Sequence, residues 1–428
     1  MNSGGISGWF SAHRKVFILL GLTAVAYFAA INRNQPFLWA IPALLMATLI
    51  TGFTWPRWLV RHLAVSRSGP SRAEEGETIE FKVVVENHGW LPRFMVELID
   101  HLPFVGLADA SSGSSQKVLG MVAYLPGRKT QQFNVPVVCE KRGYYRLGPV
   151  GLASSFPLGL TEAKVSRNEG IQNLTIYPDV FLILSLPLRG APSQIHRGGY
   201  LLPEGAGAAE FSGLREYRRG DNPRHVHWPT TARLNELMVR EYEPLASACL
   251  YLALDQAAES NIGQGKESTF EYAVRIAASM ARAACAQDIR TRIAGEGQRS
   301  LRGLSGSGDG HFQGILDELA VVACDGNTPY AQLLDDVGVH SVRGETVVVF
   351  LSERDVRQPV TLQALATLCA RQVHLFAIVF DQSSFLPANS SPSGRYSDPR
   401  KTEAELLELG AHCLMVRQGD DLVRLFNP

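Results

Sequence analysis

The sequence predicts a multidomain protein: an N-terminal transmembrane helical hairpin, an all-β immunoglobulin-like sandwich, and a C-terminal α/β doubly wound domain. Three observations carry that prediction. Two uncharged apolar stretches open the chain, a period-two alternation without helical periodicity fills residues 63–180, and strand and helix patterns alternate regularly after Pro244. At 428 residues the chain exceeds one ordinary domain of about 100–200 residues. Its 41 basic and 41 acidic side chains cancel, so no global field gathers polyanions and nucleic acid is not an expected partner.

Val16 to Ile31 and Phe37 to Trp55 contain no charged residue, and only Asn32-Arg33-Asn34-Gln35-Pro36 separates them. Both approach the roughly 20 residues that cross a bilayer. A signal peptide is the rival for the first stretch, with Arg14-Lys15 as its basic end and Ala24-Val25-Ala26 as its cleavage site. The second span that follows at once argues for a hairpin instead. Arg14 and Lys15 precede the spans, Arg57, Arg61 and Arg67 follow them, and Arg33 alone lies between. The positive-inside rule then places both flanks in the cytoplasm, and Trp39, Trp55 and Trp58 fall near the ends of the second span, where indoles favour the interface. The expected location is the inner (cytoplasmic) membrane, multi-pass, with the soluble domains in the cytoplasm. The six scattered cysteines form no C-x-x-C pair and read as reduced, structural residues.

The expected boundaries are a hairpin over 1–61, a sandwich over 62–182, a linker over 183–210, a signature segment over 211–244 and an α/β domain over 245–428. In the sandwich, Thr78–Glu86 alternates at period two, Asn87-His88-Gly89 supplies a turn, Phe94–Ile99 and Gln131–Val138 repeat the theme, and Leu174–Pro178 ends it. Cys139 is the one cysteine there, so the likeness to antibody domains is architectural. The linker is rich in Gly, Pro, Ala and Ser. In the α/β domain, strands are expected at Cys249–Leu254, Thr291–Ala294, Thr346–Leu351, Val373–Phe380 and His412–Val416. Helices are expected at Phe270–Ala286, Phe312–Val322, Pro329–Val337, Val360–Ala370 and Glu403–Leu409.

Residues 211–243 carry six arginines, no lysine and five carboxylates. Arginine's planar fork makes bidentate bonds that a lysine point charge does not, so an arginine-only segment indicates specified geometry. That geometry serves either a structural ion-pair network at a domain junction or a recognition surface for an acidic partner. Leu214-Arg215-Glu216-Tyr217, Gly220-Asp221, Arg224-His225-Val226-His227-Trp228, Ala232-Arg233 and Val239-Arg240-Glu241-Tyr242-Glu243, in that order, resemble the signature of the bacterial family of domain of unknown function fifty-eight. Lys141–Val150 and Phe156–Leu160 are similar to its upstream part. The resemblance marks Arg215, Tyr217, Asp221, Arg224, His225, His227, Trp228, Arg233 and Glu241 as the binding residues. It implies a membrane-tethered cytoplasmic protein-interaction module, an adaptor or client of a MoxR-type AAA+ ATPase system, with related von Willebrand A-domain proteins as further partners.

Ligands of a doubly wound sheet bind at the carboxyl ends of its strands, here Asp255, the loop before Pro329 and Ser352-Glu353. These loops resemble the metal site of von Willebrand factor A domains, which hold a divalent cation through hydroxyl and carboxylate oxygens. Asp255 and Thr328 match that pattern, Ala257 and Glu259 replace its serines, and Glu353 beside Ser352 replaces an aspartate. The resemblance therefore implies a degenerate site: no resident cofactor, with weak magnesium binding as the exception. His225 and His227 are two apart, which on a strand places both imidazoles on one face. They form either a packed, hydrogen-bonded pair beside Trp228 or, with Asp221, the centre of a metal-assisted hydrolase. No Gly-x-Ser-x-Gly elbow, phosphate loop or dinucleotide fingerprint occurs in the chain, and no catalytic residue is assigned.

Overall fold

The computed structural model describes residues 4–33, 36–105, 116–166, 171–186, 188, 209–217, 226–234, 236–244, 249–352, 357–386 and 398–428. The chain folds as two compact units, Met1–Tyr177 and Pro178–Pro428.

The first unit opens with α1 (Gly4–Arg33) and α2 (Ala40–Leu59). Arg14–Arg33 and Phe37–Leu59 are each long and apolar enough to cross a membrane. Their large apolar side chains, among them Phe28 and Leu44, face outward, the reverse of a soluble core helix. The hydroxyls of Thr23, Thr48, Thr51 and Thr54 donate to carbonyls three or four residues back. These donors are satisfied without water, as an apolar setting requires. At the end of α2, Arg57 donates to the Phe53 carbonyl, and His62, at φ 61°, turns the chain out of the helix.

Ten strands follow: β1 (Leu63–Ser68), β2 (Arg72–Glu74), β3 (Thr78–Asn87), β4 (Arg93–His101), β5 (Gln116–Leu125), β6 (Thr130–Val138), β7 (Gly143–Leu147), β8 (Gly151–Ser154), β9 (Ala163–Ser166) and β10 (Gln172–Tyr177). They form three sheets in the orders β1-β3-β6, β5-β4-β8-β9 and β2-β10-β7. All pairings are antiparallel except β2 with β10. The alternation read in Thr78–Glu86 appears as alternate burial along β3. Leu63, Phe81, Val83, Leu98, Leu152 and Ile176 meet from the three sheets in one core, and each such burial contributes about 1.5–3 kcal/mol.

Arg67, one of the basic residues that follow the second span, lies within β1, buried and ion-paired with Asp100. Its Nη2 donates to the Gly148 carbonyl at 3.2 Å, and the guanidinium lies 5.3 Å from the Phe81 ring centroid. Burial pushes its pKa down to about 10, which still leaves it cationic at neutral pH. Its charge is neutralised inside the folded β unit, but it still lies close enough to the end of α2 to count as a flanking basic residue.

The second unit begins, in its regular structure, with β11 (Ala209–Glu216), α3 (Trp228–Leu234) and β12 (Met238–Pro244). β11 and β12 pair antiparallel from Ala209↔Pro244 to Glu216↔Met238, with an irregularity between Phe211 and Gly213. The signature segment is thus a two-stranded ribbon whose connection carries a short helix. Then come β13 (Cys249–Leu254), α4 (Thr269–Ala286), β14 (Arg290–Gly295), β15 (Leu301–Arg302), α5 (Gly308–Val321), α6 (Tyr330–His340), β16 (Thr346–Leu351), α7 (Gln358–Ala370), β17 (His374–Phe380), α8 (Pro399–Glu408), β18 (His412–Val416) and α9 (Leu422–Phe426). The sheet order is β15-β14-β13-β16-β17-β18, parallel throughout except for the edge strand β15. Every residue of β13 and β16 is buried, as a parallel strand covered on both faces requires. Tyr251, Ala253, Val347 and Val349 pack with residues of α6, α7 and α8 on one face, while α4, capped by the Ser268 hydroxyl, lies against β13 and β14.

Candidate functional site

The signature ribbon is held by backbone bonds around the start of β12. Tyr217 donates its N–H to the Leu237 carbonyl and His227 its own to the Met238 carbonyl, both at 2.8 Å, while Val226 bridges Val239. The His227 carbonyl accepts from Thr230 and Thr231 at the first turn of α3, and the Thr231 hydroxyl accepts the Met238 N–H at 3.1 Å. His227 Nδ1 lies 2.8 Å from Thr230 Oγ1. His227 therefore organises the start of α3, a structural use of its ring and backbone.

Trp228 lies on the surface. It is 64% exposed, because α3 buries none of its residues. Arg233 sits exposed in the last turn of α3, where the helix dipole favours a cation. Arg215 in β11 pairs with Val239, and Glu241 in β12 pairs with Gly213. Asp221, Arg224 and His225 lie outside the described residues, so of the three hydrolase candidates only His227 is placed.

A second constellation forms where β13 and β16 end. Asp255 Oδ1 accepts the Ala257 N–H at 2.9 Å, which bends the chain straight after the strand. The Gln256–Ala258 turn is then stitched to Gly326 by Gly326 N–H to Gln256 O at 2.8 Å and Ala258 N–H to Gly326 O at 2.9 Å. Asp255, Ser260, Asn261, Thr269, Cys324 and Ser352 line one small cavity there, whose space for the centre of a water molecule is ≈ 10 Å³. That is near the minimum for a single ordered water.

Asp255 and Ser352, at the ends of β13 and β16, both line this cavity. Thr328 does not line the cavity, and Glu353 lies outside the described residues. Glu259 pairs with Arg357 at 3.0 Å on the surface, turned to another task. Ser260, Asn261, Thr269 and Cys324 were not foreseen; only the Ser/Thr content of the stretch after β13 pointed to them. Thr269 Oγ1 accepts from Ile262 and Asn261 Oδ1 from Phe270, so these oxygens already serve the loop. Magnesium demands near-octahedral oxygen coordination, and with oxygens so engaged and a cysteine in the lining the donor set falls short of that cage. Among the described residues, no group of three or more His, Cys, Asp and Glu is placed to share a metal ion.

Residues 213–394 match the family model described as Protein of unknown function DUF58. The match begins inside β11 and runs beyond β17, so it takes in the signature ribbon and most of the α/β sheet. The uncharacterized protein YeaD of Bacillus subtilis (strain 168) is 29% identical over 137 residues, which is 32% of this chain and 32% of that protein. The chain therefore spans about a third of the length of this curated relative. Among solved structures, the CARDB domain of a Pyrococcus furiosus protein, described in complex with di-metal ions, is 14% identical, with a TM-score of 0.20 over 27% of this chain and 86% of its own. An alkylpurine DNA glycosylase of Pseudomonas fluorescens, described as bound to DNA, is 11% identical, with a TM-score of 0.18 over 32% of this chain and 38% of its own. Likenesses at that level carry no argument about what the chain does.

Proposed function

We propose that the chain is a membrane-tethered, cytoplasmic protein-interaction module, an adaptor or client of a MoxR-type AAA+ ATPase system. The supporting observation is the uncovered surface of the signature segment. Trp228, Leu234 and Leu237 are all exposed, and Arg233 stands beside them on α3. A short helix ordinarily buries its apolar residues, and tryptophan and arginine are the residue types that dominate the centres of protein interfaces. We read the α/β unit as von Willebrand A-like on its strand order with one antiparallel edge, and the β unit as immunoglobulin-like on its layered, mostly antiparallel sheets. In this reading the cavity at Asp255 and Ser352 is a degenerate cation site that holds magnesium weakly at most.

The test is capture of a purified MoxR-type ATPase by the full chain in detergent, comparing wild type with Trp228→Ala/Arg233→Ala. Loss of interface anchors costs about 2 kcal/mol or more, so affinity should fall at least about tenfold. Melting curves should coincide, because the altered side chains are exposed, and magnesium should shift neither curve appreciably. Equal capture by wild type and variant would remove α3 from the interaction.

A further inference from the structure

At one end of the β unit, three loops gather around the last turns of α2. The Thr161 hydroxyl donates to the Gly52 carbonyl at 2.7 Å. The Leu160 side chain fills the space where any other residue at 52 would carry its Cβ, with Leu160 Cδ1 only 2.6 Å from that point. At the foot of the helix, His88 donates to the His62 carbonyl at 2.9 Å, Asn87 to the Lys129 carbonyl at 3.0 Å and Arg128 to the Gly89 carbonyl at 2.9 Å. Between these levels the Arg93 guanidinium, 2% exposed as a residue, stacks 4.1 Å from the Trp58 ring centroid.

From Gly52 to the end of the helix at Leu59 is seven residues, about 10 Å of helical rise, and Trp55 and Trp58 lie within it. Indoles in such a place mark the water–membrane boundary of a spanning helix. The loops that reach this level carry an apolar tip, with Pro157 and Leu158 exposed, and Trp90, exposed at 77%. Around them stand four exposed cations, Arg57, Arg61, Arg128 and Lys129. Two carboxylates lie near these loops, and both are paired: Glu86 is 3.6 Å from His88 and Glu162 3.3 Å from Lys164.

We infer that this end of the β unit is seated in the lipid: the Phe156–Leu160 loop and Trp90 enter the boundary between headgroups and acyl chains, and Arg57, Arg61, Arg128 and Lys129 engage anionic phospholipid headgroups. The inference rests on the membrane-tether reading and adds to it a lipid-binding surface on the folded unit itself. Amphipathic residues at such a boundary gain from apolar burial and from attraction to anionic lipid together. The Thr161–Gly52 bond fixes the depth of the loop, because it ties the loop to a set point on α2.

Photo-crosslinking tests this in the full chain, reconstituted into phosphatidylcholine vesicles with or without phosphatidylglycerol and a tagged lipid. Benzoylphenylalanine replaces Leu44, Trp90, Leu158 or Thr78 in turn. Leu44 reports the span itself, and Thr78 lies at the far end of β3, about 30 Å from Asn87 at 3.4 Å per residue. Lipid adducts are expected at 44, 90 and 158 and not at 78. Adducts at 44 without adducts at both 90 and 158 overturn the seating while the membrane reading stands; no adduct at 44 overturns both. Arg57→Gln/Arg61→Gln/Arg128→Gln/Lys129→Gln should lower the adduct at 90 in phosphatidylglycerol vesicles by about fivefold or more while keeping that at 44. An unchanged yield at 90 removes the headgroup contacts.

Discussion

Arg67 and Asp100 form a buried ion pair whose two side chains have essentially no exposure. Removing two charges from water costs several kcal/mol per ion, and the pair recovers that cost only while both partners and their hydrogen bonds are present. Arg67 also reaches the Gly148 carbonyl, and Asp100 Oδ1 accepts the His101 N–H, so the pair ties β1 to β4 and to the turn after β7. Asp100→Asn should therefore cost about 3–5 kcal/mol, because it leaves an uncompensated cation in the core. Arg67→Met combined with Asp100→Leu should recover most of that loss. Denaturant melts of the full chain in detergent check both, and a mild single variant would mean that the pair is dispensable. Arg93 solves the same problem differently: burial lowers its pKa, and the face of Trp58 takes the place of a counter-ion.

Elements were legible where the pattern was long. β13 and β16 occupy the stretches read from their apolar runs, since a fully buried strand flanked by helices leaves few alternatives. β15, of two residues, and α9, of five, are too short to show a period. The β11–β12 ribbon was missed because its arginines and carboxylates interrupt the alternation that marks a strand, leaving the chemistry visible and the backbone not. The cavity residues Ser260, Asn261 and Thr269 are tied to one another within a single loop, but Cys324 and Ser352 reach the same cavity from distant parts of the chain, which no local window contains. Gly52 is the clearest case, since within an apolar span it reads only as a small residue. The structure contrasts it with Gly21, around which nothing lies within 4 Å of an added Cβ. Gly52→Leu should displace Leu160, break the Thr161 bond and cost about 1–3 kcal/mol, whereas Gly21→Leu should melt like wild type. Equal melting temperatures for the two variants in detergent would show that the loop docks on α2 without needing the glycine.

For the molecule as a whole, in the membrane-tether reading proposed above, the side on which the β unit sits is decided at the end of α2, because β1 starts at Leu63, only four residues after Leu59. Orientation rests on Arg14, Lys15, Arg57, Arg61 and Arg67 against Arg33. That asymmetry still favours both flanks inside, because the rule weighs basic residues close to the span ends. Among the described residues only α1 and α2 contain candidate spans, so the α/β unit should share the compartment of the β unit. A reporter fused after Pro428 is expected to be active in the cytosol. Arg14→Gln/Lys15→Gln together with Arg57→Gln/Arg61→Gln should make that orientation mixed, since Arg67 after the second span and Arg33 between the spans then oppose each other. Arg67→Gln alone should leave the orientation intact, because four flanking basic residues remain against Arg33, even as it destabilises the β unit. A reporter active only outside the cytosol in the wild type would reverse the orientation and, with it, the expectation of a cytoplasmic partner.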